Sequence, residues 1–382
     1  MNTIESQREL FDIPQDIAYF NCAYYSPQLN ETRRRLLTGA SSKSHPWERT
    51  PHDFFSDAET IRILAAGLFG GDTNGYAIIP AVSYGISTAV RAIEPQVRKG
   101  DKILVLAEEF PSNILPWQRV AKERGADIIT IESPSNNDWT PAISERIGKD
   151  IKVVSLSTCH WTNGSIIDLK IVRQLCDQSG SILVVDATQS LGAMTFSVDQ
   201  IKPDFLVAAG YKWLLCPYGF SLMFVSEKWR ESRPLEETWQ ARENAEDFAS
   251  LVNYSGKYMA GARRFDVGEK CTPTILPGAI AALEQLKTWG IENISNSLSL
   301  INNKIAGTLN NLGFNTIEET LRCPHILGAV MPANYRRNLI SELRERNIFI
   351  SQRGQSIRFA PHLFINENDI NRLIHALNEL IK

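Results

Sequence analysis

The chain has 382 residues, 43% of them hydrophobic and 22% charged. That balance excludes disordered, collagen-like and coiled-coil chains and leaves length for two or three units with buried cores. Forty Lys and Arg against 43 Asp and Glu give a net charge of −3, so no global basic field exists to hold nucleic acid or an anionic membrane.

The opening MNTIESQREL is polar and has no apolar signal-peptide core. Apolar stretches such as Phe220–Val225 are too short to span a bilayer. Both features predict a soluble, cytoplasmic protein. Cys22, Cys159, Cys176, Cys216, Cys271 and Cys323 form no CxxC pair, which predicts free reduced thiols and no metal site.

From about residue 75 to 230, short apolar runs alternate with helical patterns. The runs are Tyr76–Ile79, Ile103–Leu106, Ile128–Ile131, Val153–Leu156, Ile182–Val185, Phe205–Ala208 and Phe220–Val225. Most do not alternate and are rich in Val, Ile and Leu, as strands of a parallel sheet covered on both faces are. Between them, Ser112–Arg124 and Leu169–Gln178 read as helices, the first with Ser112 as its N-cap. The fold class is therefore α/β, a doubly wound, mainly parallel sheet.

Beyond it, 235–265 reads as a polar excursion. A helix is predicted from Pro277 to a stop at Gly290. Further helices are predicted over Ile294–Leu309, Arg336–Arg346 and Glu367–Leu380, with strands near His325–Val330 and Ser356–Phe359. These make a smaller C-terminal α+β unit. The expected division is an N-terminal segment, 1–25, a large unit, 26–265, and a small unit, 266–382.

Ligands in such folds bind at the carboxyl ends of the parallel strands. Asp186 ends one apolar run, and Lys212 follows the next, 26 residues later. A lysine among apolar residues is costly unless paired or consumed by chemistry, and burial makes it a good imine former. An acid and a lysine at adjacent strand ends are the two parts that pyridoxal phosphate needs, one for its pyridine nitrogen and one for its aldehyde. In 78–90, IIPAVSYGISTAV reads as strand, turn and helix start, with Ser83, Tyr84 and Gly85 as an anion nest suited to phosphate.

Taken together, Val184-Val185-Asp186-Ala187-Thr188-Gln189, Gly210-Tyr211-Lys212-Trp213 and Pro217-Tyr218-Gly219 resemble the class V aminotransferase group of fold type I pyridoxal-phosphate enzymes. That group includes cysteine desulfurases, kynureninases and isopenicillin N epimerase, and the resemblance covers about residues 17–381. It implies that Lys212 is the Schiff-base lysine, that Asp186 pairs with the pyridine nitrogen, and that Gln189 bonds the cofactor's phenolic oxygen. Ser83 and Tyr211 would be phosphate ligands. Phe110, in Glu109-Phe110-Pro111-Ser112-Asn113, would be the ring stacked on the cofactor, where desulfurases carry His. His160 or Trp161 would hold the place of a cofactor-contacting Asn. Arg358 would take the substrate carboxylate; the alternative is that it pairs with a protein carboxylate such as Asp369. The side-chain pocket would involve Tyr24, Tyr25 and the stretch around 45–52. A homodimer is implied, with the N-terminal segment reaching the active-site mouth.

The departures narrow the chemistry. A desulfurase needs a nucleophilic cysteine shortly before the substrate arginine, and 347–356, NIFISQRGQS, has none. Ala209 stands where many relatives have a phosphate-binding Ser, and Glu269 where they have a Thr reaching the partner's phosphate. The expected function is an enzyme acting at the α-carbon of an amino acid, most simply an aminotransferase. The alternatives are a C–S or C–C lyase, or an epimerase, because all share these residues.

Overall fold

The structure is a computed structural model describing residues 2–332, 335 and 338–381. Seven strands form the large sheet: β1 (Tyr76–Ile79), β2 (Lys102–Leu106), β3 (Asp127–Ile131), β4 (Ile151–Ser157), β5 (Ile182–Asp186), β6 (Phe205–Ala209) and β7 (Ser221–Val225). Their order is β1-β7-β6-β5-β4-β2-β3. Successive residues of one strand enter different cores. Val153, Ile182, Val184 and Val207 pack on one face, while Val154, Leu183, Val185 and Leu206 pack on the other. Burial on both faces explains the non-alternating runs, at roughly 1.5–3 kcal/mol per side chain. The edge strand β3 is the exception, since four of its five residues are exposed or half-buried.

One strand departs from the parallel expectation. β7 is antiparallel to both β6 and β1. The link from β6 is only residues 210–220, shorter than the dozen or more residues of a parallel crossover. β2, β4, β5 and β6 run parallel, and β1 shares their direction because two antiparallel pairings intervene. β3 is parallel to β2 as well, so the carboxyl ends of six strands and the start of β7 meet along one edge.

Helices α1 (Asn30–Ser42), α2 (Ser56–Phe69), α3 (Val82–Ile93), α4 (Pro111–Arg124), α5 (Trp139–Arg146) and α6 (Leu169–Ser179) accompany the sheet. α4 starts at Pro111, with Phe110 at the N-cap position and no side-chain cap bond. Ser112 is thus inside the first turn, because proline's fixed φ already suits the first helical position. α7 (Leu276–Trp289) packs on α1 and α2, and Gly290, at φ 76°, ends it before α8 (Ile291–Asn311). The 235–265 excursion holds only short 3-10 turns.

A second, antiparallel sheet contains β8 (Asn315–Thr316), β9 (Leu327–Val330), β10 (Ser351–Arg353) and β11 (Ser356–Phe359), in the order β10-β11-β9-β8. Beside it lie α9 (Leu339–Arg344) and α10 (Glu367–Ile381). Arg336, the predicted start of α9, lies outside the described residues. The N-terminal segment joins both sheets. Ala18–Tyr19 pairs with Ile348–Phe349, the Cys22 N–H donates to Ala360, and the Ser26 N–H donates to Tyr211. Among the described residues, no helix is long and apolar enough to cross a membrane.

Candidate functional site

A pocket of about 240 Å³ opens where the strand ends meet, and Ser83, Phe110, Asp186, Gln189, Tyr211 and Lys212 line it. Lys212 follows β6 in the tight link to β7, held by the Leu215 N–H to its carbonyl and by the Cys216 N–H to Gly210. It is only 6% exposed. Its Nζ lies 5.4 Å from the Phe110 ring centroid and 5.6 Å from that of Tyr211. Burial pushes its ammonium down to about 8, against the opposing pull of Asp186, so a neutral, nucleophilic amine is accessible near physiological pH.

Asp186 ends the central strand β5. Its Oδ1 accepts from the Thr188 N–H at 2.9 Å. Burial pushes the carboxyl up, more than the Thr188 bonds and Lys212 pull it down. A buried acid in this state is short of a cation, and it faces the pocket. Gln189 is held at both ends of its amide. Nε2 donates to Ala23 and Oε1 accepts from Trp213 Nε1. Behind it, its carbonyl accepts from His325 Nε2 and from the Cys159 thiol.

The nest at α3 differs from its sequence reading. The Gly85 N–H already donates to Ala81, so Gly85 is not an anion ligand. It is a packing glycine, since a Cβ there would come within 2.5 Å of Ile79 and 2.6 Å of Val207. The free first-turn N–H groups belong to Val82, Ser83 and Tyr84. The Tyr84 side chain does not line the pocket; it faces Glu236. The hydroxyl missing at Ala209 has a counterpart. Ser221 is directly opposite Ala209 in the sheet, hence on the same face, and it lines the pocket with Thr188.

His160 does not line the pocket. Nδ1 meets Thr162 Oγ1 at 2.7 Å, Nε2 meets the Ala107 carbonyl at 3.0 Å, and the ring stacks on Trp139. With both nitrogens engaged and burial disfavouring its charge, it clamps the loop after β2 instead. Trp161 is the neighbour that faces the pocket, edge-on to Phe110 at 5.5 Å.

Arg358 lies on β11, 1% exposed and outside the pocket lining. It donates to the Trp161 carbonyl and, at 3.3 Å, to Ser351 Oγ. The 161–164 loop can lie this close to the small sheet because Gly328, paired with Arg358 in register, leaves room; a Cβ there would meet the Asn163 backbone at 2.5 Å. Asp369 is committed to Arg8 at 2.6 Å, and no described carboxylate pairs with Arg358. Burial, with Arg353 close by, pushes its guanidinium down to about 9, which marks a cation without an anion. Tyr24 is exposed, its ring 5.9 Å from the Arg353 guanidinium, and does not line the pocket. The 45–52 stretch does not line it either.

All six cysteines are buried. Burial raises the thiols of Cys22, Cys176, Cys216 and Cys271. Only Cys323, beside His325 and Cys159, is drawn down, and it is fully enclosed. No described thiol is placed to attack a substrate in the pocket. The residue that sequence reasoning missed is Glu109, which lines the pocket at 7% exposure.

These residues fit pyridoxal phosphate: a depressed lysine for the aldehyde, a cation-short carboxyl for the ring nitrogen, an aromatic wall, and hydroxyls beside free helix N–H groups for the phosphate. Comparison with known proteins points the same way. The family model described as aminotransferase class-V matches residues 52–371. An uncharacterized aminotransferase of Bacillus subtilis, YcbU, is 26% identical over 84% of this chain and 82% of its own length. Isopenicillin N epimerase of Amycolatopsis lactamdurans is 22% identical over 85% of each. A probable cysteine desulfurase of Pyrococcus abyssi is 29% identical, but the match spans only 44% of this chain and 42% of that protein. Among solved structures, apo cysteine desulfurase from Thermococcus onnurineus superposes with a TM-score of 0.85 at 18% identity, over 100% of this chain and 99% of that one. The cystine C–S lyase C-DES, in complex with cysteine persulfide, gives 0.85 at 19% over 96% and 98%.

Proposed function

The chain belongs to the class V aminotransferase family of pyridoxal-phosphate enzymes, and from that premise we propose that it acts at the α-carbon of an amino acid, most simply as an aminotransferase. The observation that carries the proposal is Lys212 and Asp186 in one pocket, at the ends of neighbouring strands. Bound pyridoxal phosphate supplies an electron sink for charge developing at the substrate α-carbon.

Each residue has a part in this reading. Lys212 Nζ would hold the cofactor's aldehyde carbon, and as a free amine it would take and return the Cα proton. Asp186 supplies the negative charge for the ring nitrogen. Phe110 covers a ring face and Gln189 donates to the phenolic oxygen. Ser83, Tyr211 and the first-turn N–H groups of α3 take the phosphate, with Ser221 adding the hydroxyl that position 209 lacks. A phenyl ring at 110 cannot shuttle protons as imidazole can, so Lys212 carries the proton transfer.

Arg358, buried behind Trp161, would exchange its bond to the Trp161 carbonyl for the substrate α-carboxylate, which suits its planar fork. Arg358→Ala should weaken amino-acid binding by about 2–5 kcal/mol, a factor of roughly 30 to several thousand, and leave the decarboxylated amines little changed. The cofactor absorbance should stay as in the wild type. Equal losses for acids and amines would make Arg358 a structural residue.

The same reading divides the chain at about residues 25 and 265, with the second sheet, α9 and α10 as the core of the small unit. It places the protein in the cytoplasm, and as a homodimer, for which the exposed, stacked Tyr25 and Tyr218 beside the pocket offer an apolar contact. The test of the reaction is an amino-acid panel reading keto acid, pyruvate, sulfide and alanine release in parallel. Keto acid formation matched by amination of an added 2-oxo acid supports transamination. Pyruvate with sulfide, or alanine release, would replace it by a lyase, and racemisation alone by an epimerase.

A further inference from the structure

Glu109 is the one acid in the pocket besides Asp186. It follows Glu108, whose φ of 52° lies in the left-handed region. A strained residue of this kind persists only where its surroundings hold it. Here the Trp161 indole N–H donates to the Glu108 carbonyl at 2.7 Å, and His160 Nε2 meets that of Ala107. The clamp presents Glu109 to the pocket wall. Its Oε1 accepts from the Phe110 N–H at 2.8 Å, while Oε2 is buried without a partner.

Two more buried polar atoms there also lack partners, Asn113 Nδ2 and Ser157 Oγ. The Asn113 amide is oriented from behind, because Trp117 Nε1 donates to Ser155 Oγ and Ser155 donates to Asn113 Oδ1. Both Asn113 and Ser157 favour the charged form of Glu109. Burial and the neighbouring Asp186 outweigh them and raise its carboxyl to about 7. The other charged groups nearby are Lys212 from the β6–β7 link and Glu108 on the same loop, while His160 is held neutral by burial.

We propose that Glu109 is a positioning residue that works with Asp186: it holds a proton while Lys212 is the one cation facing the two carboxyls and gives it up when a cationic ring docks on Asp186. The inference rests on the cofactor assignment above. Two close carboxyls in a dry pocket do not both stay ionised. A cation on Asp186 removes that conflict. The Glu109 O–H bond then breaks, the proton leaves to buffer, and the carboxylate accepts from Asn113 Nδ2 and Ser157 Oγ, which are already in place.

The test is calorimetric titration of cofactor-free protein with pyridoxal phosphate, in buffers of different ionisation enthalpy, at pH 6.5 and 8.5. Proton exchange by Lys212 and by the phosphate is common to both proteins and cancels between wild type and Glu109→Gln. Wild type should release roughly half to one more proton than Glu109→Gln at pH 6.5, with the difference closing at pH 8.5. Equal counts at pH 6.5, or a difference that persists at pH 8.5, would overturn the proposal. Should Glu109→Gln not take up cofactor, Asn113→Ala and Ser157→Ala serve instead. Losing a donor should carry the proton release to higher pH, and an unmoved pH profile would overturn the proposal equally. An infrared readout needs no cofactor. The carboxylic C=O band of the free protein at pH 6 should diminish in Glu109→Gln, and an unchanged band would count against a protonated Glu109. Wild type that binds no pyridoxal phosphate would instead defeat the parent assignment.

Discussion

Lys212→Ala should lower turnover by at least about 10³-fold, because one amine both holds the cofactor and moves the α-proton. The two losses are separable. A small exogenous amine can accept the proton from Cα but cannot tether the aldehyde. Added methylamine should therefore restore part of the rate while cofactor retention on dialysis stays poor. The ammonium, lowered by burial to about 8, sets the pH sense of tethering in the wild type: uptake should rise with pH and level off above about 8, as the neutral amine becomes the main form. Turnover in the alanine variant within about ten-fold of wild type would remove Lys212 from the chemistry.

Asp186→Asn should cost about 10²–10⁴-fold in turnover while Lys212 still takes up the cofactor. The side-chain shape is kept and only the charge is lost, so the expected defect is in Cα deprotonation and not in folding. In the protein alone burial raises the Asp186 carboxyl, whereas a ring cation would favour its ionised form. Wild-type protein should therefore bind the cofactor progressively less well as pH falls and Asp186 takes up a proton. The asparagine variant should lack that contribution. A substrate-deuterium isotope effect on kcat that grows in the variant would locate the loss at the proton transfer. Unchanged turnover would contradict the role.

How far the sequence carries this account depends on the kind of signal. The six buried strands were legible because two-sided burial needs continuous Val, Ile and Leu, and the edge strand β3 because Ile128, Ile129 and Ile131 keep an apolar run. The direction of β7 was not, since an apolar run reads alike both ways; only the shortness of 210–220 encodes it. Asp186 and Lys212 stood out as charged residues closing apolar strands. His160 and Trp161 could not be told apart because they sit in an irregular turn, where no periodicity says which side chain faces inward. Gly85 looked like part of an anion nest, yet its small size serves packing against Ile79 and Val207. Glu109 was overlooked beside Phe110, since its inward aim comes from the left-handed Glu108 and not from any motif. That no described carboxylate pairs with Arg358 shows only in the structure, where Asp369 is bound to Arg8.

The central claim is that one lysine, Lys212, carries pyridoxal phosphate in a pocket shared with Asp186. Borohydride reduction of the loaded protein fixes the cofactor to the amine that holds its aldehyde. Proteolysis and peptide mass analysis then identify that amine. A single modified peptide bearing the reduced adduct on Lys212 is expected, and none from Lys212→Ala. An adduct on a different lysine in the wild type, or the same modified yield from the alanine variant, would contradict it.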